Sequence, residues 1–247
     1  MVGVPPLRLG TWNLEYAAGA AKNVARLARL RAEDADVWVL TETHDQLDLA
    51  ATHVPVSTVQ RPTGRTGGRW ATIWTRWPVL ERLPVEDPLR TVAALLESPV
   101  GPLVVYGTVL PWGTDPGPTG KARGWSEMDR VLPLQVGEWR RLRERFPDAP
   151  LVVAGDLNMN LGGKHYYGTA SCRKVLREGL ADVGLACATE TDRVPAGALR
   201  HPHIDHVVVP SAWVPRSRVV SAWEGTTADG ARLSDHSGLV LEVGSEP

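Results

Sequence analysis

Apolar residues along this chain fall into short dense runs that stop at a polar residue, and into a few longer stretches with helical spacing. Leu7 to Asn13 reads as a strand closing on a polar turn. Asn23 to Arg31 carries Val24, Leu27 and Leu30 at helical spacing and predicts a helix with an apolar face. Val37 to Leu40 is continuously apolar, as a buried strand would be. This β–α–β opening points to a layered α/β arrangement. Trp70 to Trp77 alternates and stops at Pro78. Val92 to Leu96 and Leu103 to Leu110 flank the turn residues Ser98, Pro99, Gly101 and Pro102, a hairpin signal. Gly113 to Trp125 has no periodicity and is expected to be a loop beyond a strand end. Val131 to Phe146 predicts a helix with Val136, Trp139, Leu142 and Phe146 on one face, stopped by Pro147 and Pro150. Leu151 to Ala154, Ile204 to Val209 and Leu239 to Val243 repeat the strand pattern.

Strands dominate and the order of elements is mixed. Central strands apolar on both sides fit two packed sheets with outer helices better than a doubly wound parallel sheet. No internal repeat, low-complexity segment or linker interrupts the chain, so residues 1–247 are expected to form a single domain.

Composition narrows the function classes modestly. Apolar residues make up 43% of the 247, and 28 acidic against 27 basic side chains leave a net charge of −1. That balance shows no basic tail for nucleic acid, although a local patch would suffice. Cys172 and Cys187 form neither a disulfide framework nor a metal-binding spacing. Two buried thiols in a reducing compartment are expected. The N-terminus lacks a basic segment followed by an apolar stretch, and no apolar run reaches about 18 residues. A cytoplasmic monomer without a membrane span is the expectation.

The polar residues that end the apolar runs carry the chemistry. They are Asn13 and Glu15 in Thr-Trp-Asn-Leu-Glu, Glu42 in Leu-Thr-Glu-Thr-His, and Asp156 and Asn158 in Gly-Asp-Leu-Asn. Asp205 in His-Ile-Asp-His and the triplet Ser234-Asp235-His236 complete the set. Collected at one rim of a sheet, such groups make a hard-cation site with an acid/base group beside it. Glu42 would bind Mg²⁺, which prefers oxygen ligands, and Glu15 would share the ion. Asp156 and Asn158, two apart, share a side if extended; an Asx-turn closing the strand is the alternative. Asp205 bonded to one ring nitrogen of His236 would fix the tautomer and favour imidazolium. His201, His203 and Asp205 alternate, which raises a zinc reading that the carboxylate-rich remainder disfavours. His206 is expected to face into packing. Trp112 and Trp125 flank the 113–125 loop and are candidates to stack on a base or to pack under the loop. Tyr166 and Tyr167, with Lys164 and Arg173 nearby, offer a second substrate wall.

The order of these clusters resembles the endonuclease/exonuclease/phosphatase superfamily, the deoxyribonuclease I-like fold, over about residues 8 to 243. Thr75-Arg76-Trp77-Pro78 also resembles that family's Ser-Arg-aromatic-Pro strand end. The resemblance implies an α/β (α+β) four-layer sandwich and divalent-metal-dependent phosphoester cleavage with Mg²⁺ or Mn²⁺. It implies that Asn13 orients the catalytic groups, Glu42 binds the metal and Asp235 completes the site. It further implies that Asp156 acts on the water, Asn158 contacts phosphate and Asp205 supports His236. Gly107-Thr108-Val109-Leu110 departs from the family's Asn-Thr-His-Leu pattern, so Val109 stands where a histidine is usual. Thr108, Lys121, Arg123 and His165 are candidate substitutes. His203 is a second departure, two positions before Asp205.

The reading is a nuclease or phosphodiesterase that hydrolyses its ester by in-line water attack, with nucleic acid as the favoured partner. A binding module that has lost its chemistry, motivated by Val109, is the rival from another class. A phosphomonoesterase on a small or lipid-derived substrate is the rival within the same chemistry.

Overall fold

The computed structural model describes residues 5–61 and 66–244, so parts of the expected single-domain span lie outside the described residues. Two six-stranded mixed sheets pack face to face. The first holds β1 (Leu7–Asn13), β2 (Val37–His44), β3 (Val54–Ser57), β4 (Gly68–Thr75), β11 (Ser217–Trp223) and β12 (Gly238–Val243), in the order β11-β12-β1-β2-β4-β3. The second holds β5 (Val79–Leu83), β6 (Thr91–Ser98), β7 (Gly101–Val109), β8 (Leu151–Asp156), β9 (Leu185–Cys187) and β10 (Asp205–Pro210), in the order β5-β6-β7-β8-β10-β9. Each sheet has one parallel pair at its centre, β1–β2 and β7–β8. Each pair is joined by a helix, α1 (Ala20–Glu33) and α2 (Ser126–Arg145) respectively. A third helix, α3 (Ala170–Asp182), lies with α2.

Three apolar layers hold this together. Leu9, Val39, Ile73, Val105, Val152, Val207 and Leu241 fill the space between the sheets. Tyr106, Trp139, Val153 and Leu176 join α2 and α3 to the outer face of the second sheet. Trp12, Trp38, Leu40 and Val240 meet Leu30 of α1 on the outer face of the first. Central strands therefore bury both faces, which explains the unbroken apolar runs at 37–40 and 151–154. Each fully buried Val or Leu contributes about 1.5–3 kcal/mol.

The helix at 20–33 buries Leu30 and packs Leu27 against the core as its apolar spacing predicted, but it does not bury Val24. Val24 is 71% exposed, whereas Asn23 and Arg26 are buried with Leu30. Main-chain acceptors lie under this face: Asn23 Nδ2 donates to the Ala17 carbonyl at 2.6 Å, and Arg26 Nε to the Leu233 carbonyl at 3.0 Å. The polar stripe thus ties α1 to the loop that ends in His236.

Candidate active site

Strand direction brings the polar clusters to one rim. Asn13, Glu42, Val109 and Asp156 lie at or near the C-terminal ends of β1, β2, β7 and β8. Asp205 opens β10 directly opposite Asp156, antiparallel to it. His236 stands two residues before β12, which runs antiparallel to β1.

Local backbone chemistry aims these side chains. Glu42 has φ 48° and sits where the β2–β4 register skips a pair, so it leaves the ladder and turns to the cavity. Gly155 has φ 129°, and a Cβ there would lie 2.1 Å from the Thr108 carbonyl oxygen; only glycine admits this approach before Asp156. Asn158 has φ 50° and is not extended; its backbone N–H donates to Asp156 Oδ1 at 2.9 Å, so the Asx-turn forms. Its side-chain Nδ2 donates to the Leu110 carbonyl at 2.8 Å. Gly225 accepts the N–H groups of Leu233 and Ser234, closing the loop before His236.

One amide joins the two sheets. Asn13 Nδ2 lies 3.1 Å from Asp156 Oδ2 and 3.3 Å from Glu42 Oε1. Ser234 Oγ donates to the Asn13 carbonyl at 2.6 Å and accepts the His236 backbone N–H at 3.0 Å. His236 Nδ1 meets Asp205 Oδ2 at 2.6 Å, a short charge-assisted bond. Asp156, Asp205 and His236 bring ligand-type atoms within 4.8 Å of one another.

Electrostatics follow from burial and crowding. Burial, then the Asp205 carboxylate, push Asp156 up to about 7, against the pull of His236. Burial raises Glu42 as well, opposed first by the Asn13 hydrogen bond. Burial disfavours charge on His236, yet the Asp205 and Asp156 carboxylates outweigh it and push the ring up to about 10. The two carboxylates therefore favour the imidazolium form of His236, which Asp205 orients.

A cavity of about 600 Å³ opens over this centre. Glu15, Glu42, Asp156, Asn158, Asp205, Asp235 and His236 line it, as do Trp112, Tyr166 and His203 of the expected substrate set. Other expected residues lie elsewhere. His165 and Arg173 line a neighbouring cleft with Arg177 and Glu190. Lys121 and Arg123 are on the 113–125 loop and are absent from the cavity lining. Thr108 turns outward, donating to Gln135 of α2 at 2.9 Å. None of the named substitutes for a histidine at Val109 therefore lines the cavity.

The histidines separate too. His203 is buried with Nε2 2.6 Å from the Thr189 carbonyl, and His201 stacks on Tyr166. Residues 201–204 are not a strand; His201, His203 and Asp205 all line the cavity, but Asp205 gathers with Asp156 and His236 rather than with the two histidines. His206 is buried, with Nε2 3.1 Å from the Met159 carbonyl. Trp125 packs on Tyr167 at 5.4 Å rather than standing with Trp112. Tyr16, Trp70 and Glu224, which no sequence pattern marks, also line the cavity. Trp70 lies in the predicted strand, but its place opposite Glu42 depends on the skipped pair.

The donor set fits a hard divalent cation. It is rich in carboxylate oxygens, and Asp205 Oδ1 is buried without a hydrogen-bond partner among the described residues. Glu15 and Asp235, both expected as ligands, pair with Arg232 at the mouth: Glu15 at 2.5 Å and Asp235 at 3.6 Å.

The human nocturnin catalytic domain with bound sulfate shares this fold at a TM-score of 0.69 and 15% identity, covering 99% of this chain and 95% of its own. The 3′-5′ exonuclease NExo from Neisseria meningitidis gives 0.66 and 17%, covering 96% and 100%. The endonuclease domain of TRAS1, a telomere-specific non-LTR retrotransposon, gives 0.66 and 17%, covering 98% and 100%. No curated protein matches the chain by sequence. The sequence profile of the endonuclease/exonuclease/phosphatase family matches residues 10–236, and the chain belongs to that family of phosphoric ester hydrolases.

Proposed function

We propose that the protein is a divalent-cation-dependent phosphodiesterase that cleaves nucleic acid by in-line attack of water. The observation that carries this is the Asp205–His236 pair at 2.6 Å beside Asp156, joined through Asn13 to Glu42 of the other sheet. Glu42, with Glu15 and Asp235 at the mouth, would hold Mg²⁺ or Mn²⁺, which when bound supplies positive charge to the phosphate oxygens. Asp156, titrating near neutrality, orients the water and takes its proton. The His236 imidazolium, fixed by Asp205, stabilises the charge that develops on phosphorus-bound oxygen or protonates the leaving group. Asn13 orients Asp156 and Glu42, and the second N–H of the Asn158 amide donates to a phosphate oxygen.

Nucleic acid is favoured by two similar structures, the NExo exonuclease and a variant of NExo described as a 3′ phosphatase bound to a product DNA hairpin. The phosphatase activity of that second structure also keeps a phosphomonoester reading in view. The test is hydrolysis of single-stranded DNA, duplex DNA, abasic DNA, RNA and small phosphomonoesters side by side, with Mg²⁺, Mn²⁺ or a chelator. Cation-dependent release of nucleotides or shorter strands is expected. Turnover of monoesters alone would favour the second reading, and no turnover of any substrate would favour a binding module.

A further inference from the structure

The cavity is short of positive charge for an anionic substrate. Glu15, Glu42, Asp156, Asp205, Glu224 and Asp235 line it against His236. Around its rim, Arg232 is taken by Glu15 and Asp235, and Arg90 by the buried carboxylate of Asp115 at 2.6 Å. Arg61 differs. It makes no ion pair among the described residues, and its buried Nη1 has no hydrogen-bond partner there.

Aromatic rings rather than carboxylates hold Arg61 in place. Its guanidinium lies 3.7 Å from the Trp70 ring centroid and 4.3 Å from that of Tyr16. Its Nη2 donates to the Tyr16 hydroxyl at 3.3 Å, and the Glu42 carboxylate, after burial, raises the pKa of that hydroxyl. Arg61 and the candidate cation ligand thus both act on Tyr16. Tyr16 and Trp70 both line the cavity, and Trp112 continues the wall 5.5 Å from Trp70. A planar guanidinium stacked on rings, with donors left over, is suited to bind phosphate oxygens.

The rest of the cavity indicates what carries that phosphate. Trp112 follows β7, and His201 precedes β10, with Asp156 on β8 between those two strands. Tyr166 stacks on His201 with an interplanar angle of 9°. Aromatic faces on both sides of the carboxylates suit unpaired bases, which stack without regard to sequence.

We infer that Arg61 is the substrate-binding cation of this site, contacting a phosphate of a single-stranded nucleic acid next to the one cleaved. This rests on the proposed function and names its substrate class. The test uses a fluorescent dT oligonucleotide and full-length protein carrying His236→Ala to prevent turnover, titrated with Mg²⁺ present across a salt series. Adding Arg61→Gln should weaken binding about tenfold and lower the log–log salt slope by about 0.7, the value for one single-strand phosphate contact. Arg61→Lys should recover the slope but only part of the affinity. An unchanged affinity and slope in Arg61→Gln, or no binding by the parent, would overturn the inference. Equal weakening by Gln and Lys with an unchanged slope would also overturn it, by assigning Arg61 a packing role. The proposed function fails separately, if unmodified protein hydrolyses none of the phosphoester panel. If it hydrolyses single strands and Arg61→Gln leaves KM unchanged, only the present inference falls.

Discussion

Asp205 and His236 on the inner wall of the cavity, and Glu15, Asp235 and Arg232 at its mouth, are both oppositely charged groupings, yet they are held in different ways. The inner side chains are 1% and 15% exposed and meet at 2.6 Å. Asp205 is fixed by the β8–β10 ladder, and His236 by Ser234, whose hydroxyl also binds the β1 strand end. The outer side chains are 30%, 50% and 56% exposed and sit on loops. Burial makes the inner charges strong and costly to leave unpaired; solvent makes the outer pairing weak and exchangeable. Under the proposed function, the same fold offers a preorganised proton-handling pair and, beside it, acidic groups free to change partners when a cation arrives.

Removing the inner pair should have the largest effect. His236→Ala is expected to lower kcat/KM on a phosphodiester by about 10³-fold or more, and Asp205→Asn by about 10²-fold. The double variant should be little worse than His236→Ala, because the two act as one unit. Additive losses in a double-mutant cycle would break the comparison.

Glu42→Gln comes next. It should abolish tight divalent-cation binding, read by Mn²⁺ electron paramagnetic resonance, and slow hydrolysis by about 10²-fold. Tight binding that survives the change would move the cation site elsewhere.

A smaller effect appears in stability against pH, with the cation chelated. The folded-state His236 pKa lies above its unfolded value, so its contribution is fully present below about pH 6.5 and fades as pH rises toward 10. The parent should lose of the order of 2 kcal/mol more than His236→Gln over that window. Equal losses in thermal melts of both proteins would show that the pair is not held as described.

The mouth should give the smallest change. Arg232→Ala frees Glu15 and Asp235 and is expected to tighten Mg²⁺ binding about two- to fivefold in calorimetry, as befits an exposed ion pair. A change above about tenfold would mean that the mouth is as preorganised as the inner wall.

Much of this arrangement was legible in the sequence because strand ends announce themselves. Buried central strands produce runs such as Val37–Leu40 and Leu151–Ala154, and the polar residue that stops each run marks the rim. Edge elements were not legible. The β3 strand has the burial pattern of a half-exposed edge, and β9 has three residues. The α3 helix was missed as well, although Thr169 caps it by accepting the Cys172 N–H at 3.0 Å. In the site, Glu42, Asn158 and His236 were legible although irregular backbone or a loop places them, whereas Trp70, on β4, was not. Glu42 follows the apolar run that marks the rim, whereas Trp70 stands at the pair that the β2–β4 ladder skips, which no local pattern marks. Lys121, Arg123 and His165 on loops and Arg173 on α3 had suitable chemistry, yet the path of the chain put them away from the cavity, a long-range property that local pattern does not encode.

The central claim is that groups from both sheets converge on one bound cation, and an anomalous diffraction map from a crystal soaked in Mn²⁺ tests it most directly. The account predicts a peak in contact with the Glu42 carboxylate, inside the cavity that Asp156 and His236 share. A peak confined to another part of the molecule, with Glu42 untouched, would contradict it.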